Sequence, residues 1–130
     1  MTRRRYARNH VWAELDGDSN IVVGLSARAI EQLGRITDFS LRVQPGAELG
    51  PGECFAVVES DKAEVELFTP VSGAVVRVNS ELDFQPERIS DDCYGEGWMI
   101  ALRPPDLSEY DALLDALAYS ELLKTASATE

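Results

Sequence analysis

Few residues in this chain could do chemistry, so each can be weighed in turn. There is one histidine, His10, and there are two cysteines, Cys54 and Cys93. That set forms no zinc signature. A Cys-His pair needs a thiol within reach of a base. Cys54, however, opens the apolar run Cys54-Phe55-Ala56-Val57-Val58, which reads as a buried strand carrying a structural thiol. A Cys54–Cys93 disulfide is disfavoured in a reducing compartment. No glycine-rich phosphate loop occurs. What remains is a lysine. Ten of the 12 basic residues are arginines, and the two lysines are Lys62 and Lys124. Lys124 lies in a polar C-terminal stretch. Lys62 lies between two strand-like segments, among Glu59, Asp61, Glu64 and Glu66. An amine at a hairpin tip is exposed, mobile at its end and fixed at its base, which suits a covalently attached arm. The acids around it can form an address for a modifying enzyme with a basic surface. The competing reading, a surface lysine that balances nearby acids, leaves that placement without a role.

The elements that must hold this lysine are short. Cys54 to Glu59 reads as a strand, Ser60-Asp61-Lys62-Ala63 as a turn, and Val65 to Thr69 as the returning strand. Pro70-Val71-Ser72-Gly73 turns the chain into a further strand, Ala74 to Asn79. Upstream, His10–Leu15 and Ile21–Leu25 flank the turn cluster Asp16-Gly17-Asp18-Ser19-Asn20 and predict a hairpin. Ser26 is placed to cap a short helix whose stop is Gly34. Ile36 to Val43 is extended, and Pro45-Gly46 and Pro51-Gly52 bracket a corner around Leu49. Ser80 to Gly97 is polar, with one helical turn near Ser80–Phe84, before a last strand at Trp98–Leu102. Ser108 with Asp111 resembles a capping box that opens a C-terminal helix striped by Leu113, Leu114 and Leu117. The spacing predicts a mainly β barrel or sandwich with short flanking helices and a C-terminal helix, built as one domain over 1–130. Disordered tails are expected at about 1–5 and 125–130.

Asp+Glu is 23 against 12 for Lys+Arg, a net charge of −11. A chain this acidic repels nucleic acid and anionic membrane surfaces and favours partners with basic faces. No apolar run approaches the ~20 residues of a membrane helix. Met1-Thr2-Arg3-Arg4-Arg5 is followed by no apolar stretch, so a cytoplasmic location is expected. Without a base, a metal site or a phosphate cradle, the polypeptide is expected not to be an enzyme in its own right.

Val58-Glu59-Ser60-Asp61-Lys62-Ala63 resembles the lipoyl-lysine turn of lipoyl-carrier proteins. Pro70 to Asn79 is similar to the half-repeat that follows it. Three further segments resemble glycine cleavage H proteins: Tyr94-Gly95-Glu96-Gly97-Trp98-Met99-Ile100, the pair His10 and Trp12, and Glu31-Gln32-Leu33-Gly34. Biotin carriers share the fold but usually have methionine on both sides of the lysine, where this chain has Asp61 and Ala63. The resemblance implies a flattened barrel-sandwich hybrid with lipoate in amide linkage to Lys62. Glu59, Ser60, Asp61, Ala63, Glu64 and Glu66 then form the recognition turn, and His10, Val11, Trp12 and Gln32 the cleft for the arm. The implied partners are a lipoate ligase or lipoyl transferase and a dihydrolipoamide dehydrogenase-type flavoprotein. The chain departs from the H-protein pattern at Val11, where a glutamate is usual, and at Gln32, where a histidine is common. An amine buried against Val11 would be poorly paired. On that ground the sequence favours a lipoate-binding paralogue that works with a heterodisulfide-reductase-like complex in sulfur oxidation. The alternative is glycine cleavage, with glycine decarboxylase and an aminomethyltransferase as partners.

Overall fold

The computed structural model describes residues 4–128. Its order is β1 (Arg4–Tyr6), β2 (Val11–Leu15), β3 (Ile21–Leu25), α1 (Ala27–Leu33), β4 (Ile36–Leu41), β5 (Glu48–Leu49), β6 (Cys54–Ser60), β7 (Glu64–Phe68) and β8 (Gly73–Val78). A 3-10 turn (Ser80–Asp83), α2 (Glu87–Asp91), β9 (Ile100–Arg103), α3 (Ser108–Asp111) and α4 (Ala116–Ala128) complete it. One sheet runs β1-β2-β3-β9-β8-β5 and the other β4-β6-β7. All the strand pairs are antiparallel. The mainly β, two-sheet architecture agrees with the expected lipoyl-type barrel-sandwich.

The core lies between the sheets. Val11, Ala13, Ile21, Val23 and Leu102 from the larger sheet meet Phe39, Phe55, Val58 and Leu67 from the smaller. Alternation explains the larger sheet's share, since Ile21, Val23 and Leu25 point to one face of β3. The opposite face of β2 is covered as well. Trp12 joins Tyr6 and Tyr119 in a second cluster under α4, with Leu122 and Leu123 packed against it. Burying side chains of this size contributes roughly 1.5–3 kcal/mol each.

Several expectations are revised. Arg4 and Arg5, where the sequence suggests a disordered tail, pair with Glu14 and Ala13 in β1. Residues 125–128 continue α4, while 1–3 and 129–130 lie outside the described residues. The C-terminal helix is split. Leu114 exchanges backbone hydrogen bonds with Tyr6, and this isolated bridge draws the chain out of helical geometry. Asp115 then accepts from the Ala118 N–H at 2.8 Å and starts α4 afresh. Ser108 caps nothing, because its hydroxyl and N–H both bond to Asp106. Leu113 and Leu114 pack inward, but Leu117 is 72% exposed. α2 was hidden in the polar stretch, where Ile89 is its one fully buried side chain. Cys54 is half-buried rather than interior, and both cysteines are free thiols.

Candidate functional site

β6 and β7 form the hairpin that carries Lys62. Val57 faces Glu66, Val58 faces Val65 and Glu59 faces Glu64. Val58 and Leu67 anchor its inner side in the core. The turn is closed by one side chain. Ser60 Oγ accepts from the N–H groups of Lys62 and Ala63, each at 3.1 Å, while the Ser60 N–H donates to the Ala63 carbonyl at 2.8 Å. Serine does this because its hydroxyl reaches backbone amides two and three residues on. Lys62 and Ala63 are exposed. No hydrogen bond or ion pair engages the Lys62 amine among the described residues.

The turn is also braced from outside. The Asp61 N–H donates to the Arg35 carbonyl at 3.1 Å, and the Arg35 guanidinium lies 3.8 Å from the Asp61 carboxylate. Both side chains are well exposed, so the ion pair is weak and the backbone bond is the firmer link. Gly34 ends α1 at φ 80°, with its N–H on the Ile30 carbonyl. A Cβ at Gly34 would sit 3.7 Å from Lys62 Cε, so the lysine stem lies against the bare end of this helix. Sequence reasoning identified Gly34 as a helix stop and missed its second role beside Lys62. It missed Arg35 altogether, since that link joins distant segments.

Acids line up across the smaller sheet. Asp38 pairs with Glu59 and Glu59 with Glu64, which sets three carboxylates in one row. Local desolvation first, then Glu64 and Asp38, push the Glu59 carboxyl above its ordinary value. Glu66 stands exposed two pairs further along β7. The residues expected to form the recognition turn (Glu59, Ser60, Asp61, Ala63, Glu64 and Glu66) all lie on the β6–β7 hairpin that carries Lys62.

The expected arm cleft is not gathered in the same way. Val11 exposes no surface and belongs to the central core, so it cannot wall a groove. Trp12 points to the other face of β2, and its Nε1 donates to the Cys93 carbonyl at 2.9 Å. Gln32 is exposed on α1. His10, half-buried, has Nδ1 2.7 Å from the Tyr119 hydroxyl, which is itself 2.9 Å from Ser26 Oγ. Burial, with Arg28 adding to it, lowers the His10 pKa below its ordinary value. Ser26 stands at the N-cap position, but its hydroxyl serves Tyr119. The Tyr94 hydroxyl accepts from the Ala27 N–H in its place. Burial pushes the Tyr94 hydroxyl up to about 12, so it stays protonated. A groove of about 330 Å³ opens between α1 and α4, lined by Arg28, Glu31, Tyr94, Tyr119 and Leu123 among others.

A Lys62 amine without partners on a Ser60-locked turn fits acylation. No group of three or more His, Cys, Asp or Glu residues among the described ones is arranged to hold a metal ion. No helix among them is long and apolar enough to cross a membrane.

Comparison with known proteins agrees with this geometry. The glycine cleavage H-protein family model matches residues 4–126. A glycine cleavage system H protein from an Anaeromyxobacter species is 46% identical over 120 residues, 92% of each chain. The protein of that name from Halorhodospira halophila is 40% identical over 119 residues, covering 92% of this chain and 91% of its own. The crystal structure of the H protein from Mycobacterium marinum superposes with a TM-score of 0.84 at 30% identity, covering 95% of this chain and 98% of the other. The chain therefore belongs to the glycine cleavage H-protein family, a family of lipoyl carriers rather than enzymes.

Proposed function

We propose that this chain is lipoylated on Lys62 and carries the aminomethyl group of glycine cleavage. The observation that supports this most is the exposed amine, free of partners, on a turn locked by Ser60. In attachment, the unprotonated Lys62 amine attacks the acyl carbon of an activated lipoyl donor. The amide C–N bond forms, the donor's leaving group departs with its electron pair, and the amine proton passes to a base. When bound, the arm would supply a dithiolane whose S–S bond opens as one sulfur takes up the carried group, and once that group has left, thiol–disulfide exchange with the flavoprotein would close the ring again. The chain's own residues fix the arm's root. Ser60 holds the turn, the Arg35 carbonyl braces it, and the acids of β6 and β7 present it to a basic partner surface. The partners in this reading are a lipoate ligase or transferase, glycine decarboxylase, an aminomethyltransferase and a dihydrolipoamide dehydrogenase-type flavoprotein. A cytoplasmic setting, with neither nucleic acid nor membrane as a partner, accords with the charge of −11.

The preference for sulfur oxidation rested on Val11 and Gln32. Val11 is a core residue here, so its apolar side chain says nothing about the surroundings of a carried amine. Gln32 keeps an exposed polar amide on α1. With relatives named for glycine cleavage, the alternative becomes the better-supported reading. His10 and Gln32 remain the polar candidates for contact with the arm, while Val11 and Trp12 act through packing. The test of attachment is intact mass after incubation with lipoate, ATP and a lipoate ligase. One lipoyl adduct is expected on the wild type and none on Lys62→Arg. An adduct on the arginine variant would overturn the assignment.

A further inference from the structure

Phe84 is 84% exposed, the highest exposure of any large apolar side chain among the described residues. It follows the 3-10 turn whose Leu82 is fully buried, so the chain spends one apolar residue on the core and holds the next out to solvent. A lone exposed apolar residue is unremarkable in itself. The placement of this one is not. The segment after it, Pro86 and Glu87, lines a groove of about 280 Å³ with Arg35, Ile36 and Thr37. Arg35 is the residue that braces Asp61, next to Lys62. The groove thus links Arg35, which braces Asp61 beside Lys62, to Pro86, two residues after Phe84. A second hollow, about 130 Å³, lies beside the ring between Glu81, Gln85 and Arg88. Arg88 is already paired with Glu81 at 2.6 Å and Glu96 at 3.4 Å, so the exposed surroundings of the ring are acidic on balance.

We propose that Phe84 is the apolar anchor by which the lipoyl-attaching enzyme docks, with Glu81, Asp83 and Glu87 as its acidic rim. This rests on the reading of Lys62 as the acceptor. The occupant follows from geometry. An enzyme that acylates Lys62 must bring its reacting atoms to bonding distance of the amine, and so must cover the surface beside the hairpin. Partners that act at the far end of a long arm have no such need. The chemistry follows from charge: an acidic rim around one aromatic ring suits a basic surface with an apolar pocket. Aromatic side chains inserted in this way carry much of the energy of an interface.

The test is steady-state attachment by a purified lipoate ligase on wild type, Phe84→Ala and Phe84→Trp, with peptide mapping of the adduct. For the alanine variant the KM for the carrier should rise about tenfold while kcat stays within about twofold. Tryptophan should restore KM. Mapping of the wild type reads the acceptor separately, and absence of an adduct on Lys62 would remove the foundation of the proposal. With Lys62 modified, an unchanged KM for Phe84→Ala would overturn the docking role alone. Two patterns would also overturn it by assigning the ring elsewhere. One is an unchanged KM with weakened glycine decarboxylase exchange. The other is an unchanged KM with a loss of self-association in sedimentation.

Discussion

Trp12 stands directly across from Gly24 in the β2–β3 ladder, and a Cβ on Gly24 would fall 2.7 Å from the indole ring. No real side chain tolerates that distance, and the indole cannot retreat. It is buried, and its Nε1 is committed to the Cys93 carbonyl. Gly24→Ala is therefore expected to destabilise the fold by about 1–3 kcal/mol through overpacking. Thermal unfolding should show a Tm lower by roughly 5–12 °C. The Lys62 hairpin belongs to the other sheet, so the folded fraction should still accept lipoate.

Ser60 is the test of how the turn is held. Ser60→Ala removes the acceptor of two backbone N–H groups. Because the turn is exposed, water replaces much of what is lost, and stability should fall by only about 0.5–1.5 kcal/mol. Lipoylation should slow several-fold, as the amine is presented by a looser turn. An unchanged rate would show that the strands alone place it.

Much of this site was legible because its causes are local. Ser60, the acids and the flanking apolar pairs lie within one hairpin, and turn chemistry follows from neighbouring residues. Gly34 was legible as a stop for the same reason. Other features depend on distant partners. β1 is only Arg4–Tyr6 and becomes a strand by pairing with β2. The split of the C-terminal helix follows from the Tyr6–Leu114 bridge, which no local pattern announces. Val11 enters the expected cleft through the H-protein resemblance, and its place in the core depends on packing against the other sheet, which its neighbours in sequence do not announce. Ser26 has the residue type and position of a cap, yet Tyr119, 93 residues later, takes its hydroxyl.

The Tyr119 hydroxyl joins His10 to Ser26 beneath α4. Tyr119→Phe leaves the fully buried Ser26 hydroxyl without that partner, at an expected cost of about 1–3 kcal/mol. The histidine adds a pH dependence. Its folded-state pKa lies below the ordinary 6.5, so the unfolded chain binds a proton first. Stability from this group is present above 6.5 and is lost as pH falls from there toward the depressed value. Wild type should lose more Tm than His10→Asn between about pH 7 and 5. Parallel curves would show that the imidazole is not the titrating group.

Glu59 and Glu64 face each other as like charges, an arrangement that disfavours the fold. The raised Glu59 pKa means that this repulsion is relieved as pH falls through the carboxylate range and is fully present at neutrality. Glu64→Gln should raise Tm by a few degrees at most at pH 7, and the gain should vanish at acid pH. The same variant should slow lipoylation, and the wild-type rate should fall as salt rises. A more stable protein that is modified at the wild-type rate would remove the acids from partner recognition.

The central claim, that an arm on Lys62 carries the aminomethyl group, is tested most directly by exchange of labelled bicarbonate into glycine. The assay combines glycine decarboxylase, glycine and the fully lipoylated chain, with Lys62→Arg as the unmodified control. The account predicts exchange at the level of an authentic H protein for the wild type and none for the control. A chain shown by mass to be fully lipoylated on Lys62, yet unable to support exchange, would contradict it.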